Sequence, residues 1–104
     1  MEKTLTIDGK EITFKTTGAT PLRYKQQFGK DFFGELKKMM PEKGKEFDID
    51  LEVFYNFAWV TAKTADKSIP TPIEWFDSFE EFPIMEFIPD LQELLISTMQ
   101  TKKK

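Results

Sequence analysis

Apolar and polar positions alternate at the start of the chain and then switch period. In TLTIDGKEITF, Leu5 and Ile7 alternate with Thr4 and Thr6, and Ile12 and Phe14 resume the alternation after Asp8-Gly9. Period two marks a half-buried strand. Asp-Gly supplies the two left-handed positions of a type I′ turn. The pattern predicts a β-hairpin in which Ile7 pairs with Lys10, Leu5 lies opposite Ile12, and Lys3 lies opposite Phe14. Leu5, Ile7, Ile12 and Phe14 then share one face, which needs helices beneath it because a lone hairpin is marginal in water.

From Thr20 onward the period is helical. Thr20 reads as an N-cap and Pro21 as the first helical residue. This first helix carries Tyr24 and Phe28 one turn apart, and Gly29 is placed to close it in a left-handed conformation. Asp31 reads as the cap of a second helix with an apolar stripe of Phe32, Phe33, Leu36, Met39 and Met40, stopped by Pro41 and Gly44. Asp48 or Asp50 caps the longest segment, about residues 50–66. There Leu51, Phe54, Tyr55, Ala58, Ala62 and Ala65 keep the period, and Val53, Phe57 and Trp59 widen it. So broad an apolar arc predicts a central helix contacted from two sides. Thr71-Pro72-Ile73-Glu74 has the form of a capping box and opens a short acidic helix, PIEWFDSFEEF. Ile84, Phe87, Ile88, Leu91, Leu94, Leu95 and Met99 form the stripe of a last helix, with Pro89 predicted to kink it or mark its true beginning. The fold class is α+β, mostly α: an N-terminal hairpin and four to five short helices in one compact domain over residues 1–101, with 102–104 a basic, frayed tail.

Composition narrows the chemistry. The 104 residues hold neither Cys nor His, which removes disulfides, thiolate nucleophiles, Cys/His zinc sites and imidazole bases together. The serines lack a nucleophile elbow, and there is no phosphate-binding glycine motif. Glu74, Asp77, Glu80 and Glu81 crowd together, with Asp77 and Glu81 four residues apart, but without the glycine turn of a calcium loop they read as a solvated face. No catalytic residue, cofactor or metal site is predicted, and the chain reads as a non-enzyme. It has no apolar run long enough to span a membrane, and its first residues lack the layout of a signal peptide.

Charge is segregated. Residues 18–46 carry seven bases against four acids, and residues 47–101 carry eleven acids against two bases, within a net charge of −3. Such polarity predicts weak, salt-sensitive head-to-tail association of copies. The acidity and the single Arg argue against nucleic-acid binding. Eleven Phe exceed what a core of this size commonly uses, and the surplus predicts an apolar grip on another polypeptide. The candidate contacts are Trp75, Phe76, Phe79 and Phe82, the flank of the central helix, and Tyr24 and Arg23; in the other reading of the opening stretch, Gly29 and Asp31 set the angle between two helices and place Tyr24, Phe28 and Phe32 against the core.

The stretch FKTTGATPLRYKQQFGKDFFGEL resembles the motif of tail assembly chaperones from long-tailed bacteriophages of Gram-positive hosts. The likeness lies in the preceding hairpin, in Thr20, Pro21, Arg23 and Tyr24, and in the junction Phe28, Gly29, Lys30 and Asp31. LEVFYNFAWVTAKTAD resembles the family's central helix, and PIEWFDSFEEFPIMEFIPDLQELL its last two helices. The resemblance implies a non-catalytic late gene product of the host cytoplasm. It would bind the tape measure protein, keep it soluble, recruit tail tube subunits and be absent from the mature virion. A structural tail or head–tail connector protein that stays in the particle is the alternative, and a small DNA-binding regulator is a weaker one.

Overall fold

The structure, a computed structural model, describes residues 1–39 and 50–99. Strands β1 (Glu2–Ile7) and β2 (Lys10–Lys15) form an antiparallel hairpin, followed by helices α1 (Thr20–Phe28), α2 (Phe32–Met39), α3 (Leu51–Ala65), α4 (Pro72–Asp77) and α5 (Ile84–Met99). The class is the α+β domain predicted, with five helices. The hairpin register is also the predicted one, with Leu5 opposite Ile12 and Ile7 opposite Lys10. Asp8 and Gly9 both take positive φ, 56° and 77°, which builds the turn.

Helix α3 is the axis of the molecule. Val53, Phe54, Phe57, Ala58, Trp59, Val60, Thr61 and Ala62 are buried, so neighbours cover it on several sides. Asp50 accepts a hydrogen bond from the Glu52 amide at 3.0 Å and starts the helix. The alternative cap, Asp48, and the stop at Pro41 and Gly44 lie outside the described residues. The hairpin lays its apolar face on α3, burying Ile7 and Phe14. Helix α5 packs on α3 and against β1, where the Lys3 ammonium sits 2.9 Å from Glu93 and 3.1 Å from Asp90. Hydrogen bonds to Glu93 and Asp90 raise the Lys3 pKa above its ordinary value.

The α1–α2 joint follows from three residues. Gly29 takes φ 70° and its N–H donates to the Lys25 carbonyl at 2.7 Å, closing α1. Asp31 accepts from the Gly34 amide at 3.1 Å, capping α2. The turn between them brings Tyr24 and Phe32 to 5.4 Å, edge to face, and Phe32 stacks on Phe57 of α3 at 6.0 Å. At the other end of α1, Thr20 departs from the predicted cap. The cap residue is Ala19, and Thr20 already lies in the first turn. The Thr20 hydroxyl instead accepts from the Thr17 amide at 2.9 Å, so it orders the approach to the helix and is itself fully buried.

Two further boundaries differ from the sequence reading. Helix α4 stops at Asp77 rather than continuing to Phe82, and the Thr71 side chain makes no cap hydrogen bond. The Ser78 amide returns to the Trp75 carbonyl at 3.0 Å, and the Glu80 amide donates to Asp8 at the hairpin turn at 3.0 Å. That tertiary bond to the hairpin draws the chain out of the helix. Pro89 does not mark the start of α5, which begins at Ile84 and runs through it.

Candidate partner-binding surfaces

Of the four rings expected to grip a partner, Trp75 and Phe79 belong to the core, and Phe76 and Phe82 pack against it. Trp75 is 5% exposed and Phe79 is 7% exposed. Trp75 meets Phe79 edge to face at 5.2 Å, and Phe82 lies 5.2 Å from Phe79 and 5.0 Å from Phe76. Phe76 packs edge-on against Tyr55 of α3 at 5.0 Å. Phe76 and Phe82 are half-buried, so they border the surface without projecting from it. A helix of six residues cannot bury its apolar face on itself. The loop through Phe79 and Phe82 therefore folds back and encloses Trp75. This corrects the expectation that Trp75 and Phe79 contact a partner directly.

Of the two readings of Tyr24, the structure has the one that packs it against the core and not the one that makes it a partner contact. Tyr24 is fully buried, and its phenol donates to Glu35 at 2.9 Å while the Asn56 amide approaches at 3.5 Å. Burial raises the phenol above its ordinary pKa, with further upward contributions from Glu35. Tyr24 is thus part of the α1–α2–α3 joint. Glu35, 4% exposed, occupies the inner face of α2 where the apolar stripe predicted Phe33; Phe33 turns outward and is 58% exposed. The buried phenol and the facing carboxylate decide this phase, a pairing that apolar periodicity does not register.

Arg23 is exposed, as a contact residue must be. It borders a groove of about 220 Å³ between α1 and α3, with Gln26, Gln27, Trp59 and Lys63. Lys63 is already committed to the Lys67 carbonyl at 2.8 Å and to the Ile69 carbonyl. Trp59, which lines the groove, meets Phe28 of α1 edge to face at 6.0 Å.

The apolar side chains that project furthest are Leu22 (59% exposed), Phe33, Ile73 (73%) and Met85 (64%); Met1, Leu51 and Ile96 are exposed to a lesser degree. The sequence pattern assigns neither Ile73 nor Met85 a contact role. Met85 falls off the stripe of Ile84, Ile88, Leu91 and Leu95, which is the signal for it. The six residues of α4 are too few to fix the phase of Ile73. Between these two lie Glu74, Asp77, Glu80 and Glu81, all exposed, and Glu86 follows, with no base among them. Because α4 ends at Asp77, Asp77 and Glu81 do not form a helical pair. Among the described residues no group of acids is placed to hold a metal ion, and no helix is long and apolar enough to cross a membrane. The chain matches no family model, no curated protein and no solved structure.

Proposed function

We propose that this chain is a non-catalytic tail assembly chaperone of a long-tailed phage, which binds the tape measure protein in the host cytoplasm, keeps it soluble, helps recruit tail tube subunits and leaves before the virion is complete. The observation that carries the reading is the acidic segment from α4 into α5. Ile73 and Met85 project to solvent there, and Glu74, Asp77, Glu80, Glu81 and Glu86 flank them in sequence; Lys10 of the hairpin reaches into this segment, to the Ser78 carbonyl at 3.4 Å and over the Phe79 ring, against these five acids. Exposed apolar side chains give a holdase its grip, and the net negative charge around them keeps the free protein from aggregating. Such a surface suits helices that carry apolar residues beside Lys or Arg. The order of motifs around Arg23, Tyr24, Gly29 and Asp31 supports the same reading through the family resemblance. The absence of Cys and His from the sequence fits a protein that works by binding.

Co-expression with the tape measure protein tests this. The unmodified chain is expected to raise the soluble fraction of the client, and Ile73→Asp with Met85→Asp to abolish the gain. Both side chains are exposed, so the double variant keeps the fold. A client equally insoluble with and without the unmodified chain overturns the reading. Recovery of the chain from purified virions by mass spectrometry would replace it with a structural tail component.

A further inference from the structure

Among the described residues the sheet has two strands, so β2 has one side that β1 does not cover. In a hairpin with a two-residue turn, the pair flanking the turn exchanges both main-chain hydrogen bonds, and every second pair repeats this. Ile7–Lys10, Leu5–Ile12 and Lys3–Phe14 are therefore the bonded pairs. Two observations fix the phase independently. The Thr16 amide donates to the Met1 carbonyl at 2.9 Å, which continues the series. The Thr4 and Thr13 hydroxyls meet at 2.9 Å, as the closer side chains of a non-bonded pair do. The N–H and C=O of Glu11 and Thr13 thus point away from β1, and among the described residues no other part of the chain pairs with them.

Beside that open edge lies a second groove, of about 350 Å³. β2 lines it with Glu11, Ile12 and Thr13; the far wall is Asp66 and Ile69, beyond the end of α3, together with Trp75 of α4. Ile69 and Trp75 are buried core members and Ile12 is half-buried, so the floor is apolar and firmly backed. The Trp59 indole donates to the Pro70 carbonyl at 2.9 Å and fixes the far wall. Glu11 and Asp66 are the charged residues of the lining. Hydrogen bonds from the Ser68 hydroxyl and amide hold the Asp66 carboxyl below its ordinary pKa, so it is ionised at neutral pH.

We propose that the open edge of β2 and this groove form a docking site for an extended segment of a partner polypeptide, which adds a third strand through the main chain of Glu11 and Thr13 and seats an apolar side chain on Ile12, Ile69 and Trp75 between flanking basic residues. The available donors and acceptors are main-chain groups in strand geometry. A helix, whose own backbone groups are already paired, cannot satisfy them. Period two along the added strand puts one side chain into the groove and its neighbours away from the floor. The two carboxylates favour Lys or Arg at the flanking positions; Lys63, whose charge also acts on Asp66, is held behind the wall by the Lys67 and Ile69 carbonyls. The site rests on the hairpin, the α3–α4 connection and Trp75 and uses neither Ile73 nor Met85, so it stands or falls separately from the chaperone reading.

The test uses the full chain and a capped peptide of alternating lysine and isoleucine. At saturating peptide, amide hydrogen exchange at Glu11 and Thr13 is expected to slow by about tenfold or more, while Ile12, already bonded to β1, changes little. Thr13→Pro deletes an outward donor and leaves the ladder to β1 intact; it is expected to weaken binding by about tenfold. Thr13→Val, which keeps the donor, binds as the parent does. A peptide N-methylated at alternate residues probes the same bonds on the unmodified protein and is expected not to bind. Glu11→Lys is expected to weaken the lysine peptide and favour a glutamate–isoleucine one. Failure of the lysine peptide to bind at millimolar concentration, unprotected Glu11 and Thr13 amides at saturation, or equal binding of the N-methylated peptide overturns the proposal.

Discussion

Tyr24 is the residue whose chemistry reaches furthest. Its ring fills the joint of three helices, and its hydroxyl reaches a carboxylate that is itself buried. Tyr24→Phe keeps the ring and removes the hydroxyl, and is expected to cost about 1–3 kcal/mol because Glu35 and Asn56 lose the phenol inside the core. The same group makes stability depend on alkaline pH. The native phenol is raised above the ordinary value of 10.0, chiefly by burial, so the protonated form is favoured in the fold. Its contribution is complete below that ordinary value and is lost as pH rises through the raised native one. Urea midpoints at about pH 8 and about pH 11 check both statements: the parent is expected to lose stability over that interval, and Tyr24→Phe to lose less. Equal losses in the two proteins would place the alkaline sensitivity elsewhere.

At the scale of elements, the short junction between α1 and α2 is where sequence and geometry correspond most directly. A Cβ at Gly29 would meet nothing within 4 Å, so Gly29→Ala suffers only from its φ of 70°. It is expected to cost about 1–2 kcal/mol. Asp31→Ala removes the cap on the Gly34 amide at about 1 kcal/mol. Gly18, also open but without a positive φ, is the control, and Gly18→Ala is expected to be neutral or slightly stabilising. Thermal melts of the three variants read the order directly, with about 4–8 °C per kcal/mol for a domain of this size. These features were legible in the sequence because turn chemistry is local: Asp8-Gly9, Gly29 and Asp31 act within a few residues of themselves. The inward phase of Phe32, Phe57 and Leu91 was legible from periodicity. Other features depend on distant partners. Glu35 displaces Phe33 from the inner face because Tyr24 comes from another helix, and α4 ends early where Asp8 of the hairpin takes the Glu80 amide. The candidate site suffered most, because a surplus of rings does not say which are enclosed; the enclosure of Trp75 by Phe79 and Phe82 depends on a non-helical loop that the apolar spacing disguised as helix.

Across the whole molecule, the charge segregation seen along the sequence persists on the surface. Arg23, Lys25, Lys30 and Lys37 of the α1–α2 region are exposed, with Asp31 the opposing exposed acid there, and Glu74, Asp77, Glu80, Glu81 and Glu86 are exposed in α4, the loop after it and the start of α5. The ion pairs among the described residues involve Lys3 and Lys15, so neither group is neutralised by the other within one chain. Each region also exposes large apolar side chains, Leu22 and Phe33 on the basic one, Ile73 and Met85 on the acidic one. A contact between unlike regions of two copies is heterologous: each copy keeps one region free, so it propagates into a ring or a chain. Attraction between exposed charges falls away beyond about 10 Å at 0.1 M salt and survives to greater distance when salt is lowered. Sedimentation is therefore expected to show weak, reversible oligomers at about 0.02 M salt and monomers at about 0.5 M. Glu80→Lys with Glu81→Lys should abolish the low-salt oligomer, and adding Arg23→Glu with Lys25→Glu to the same chain should restore it, because attraction depends on unlike regions rather than on net charge. A parent that stays monomeric at both salts removes self-association from the picture. If the restored variant also stays monomeric while the parent assembles, the contact uses residues outside these two regions. A client helix that occupies the acidic region would compete with the next copy for Ile73 and Met85, so the oligomer should dissolve on client binding at constant salt.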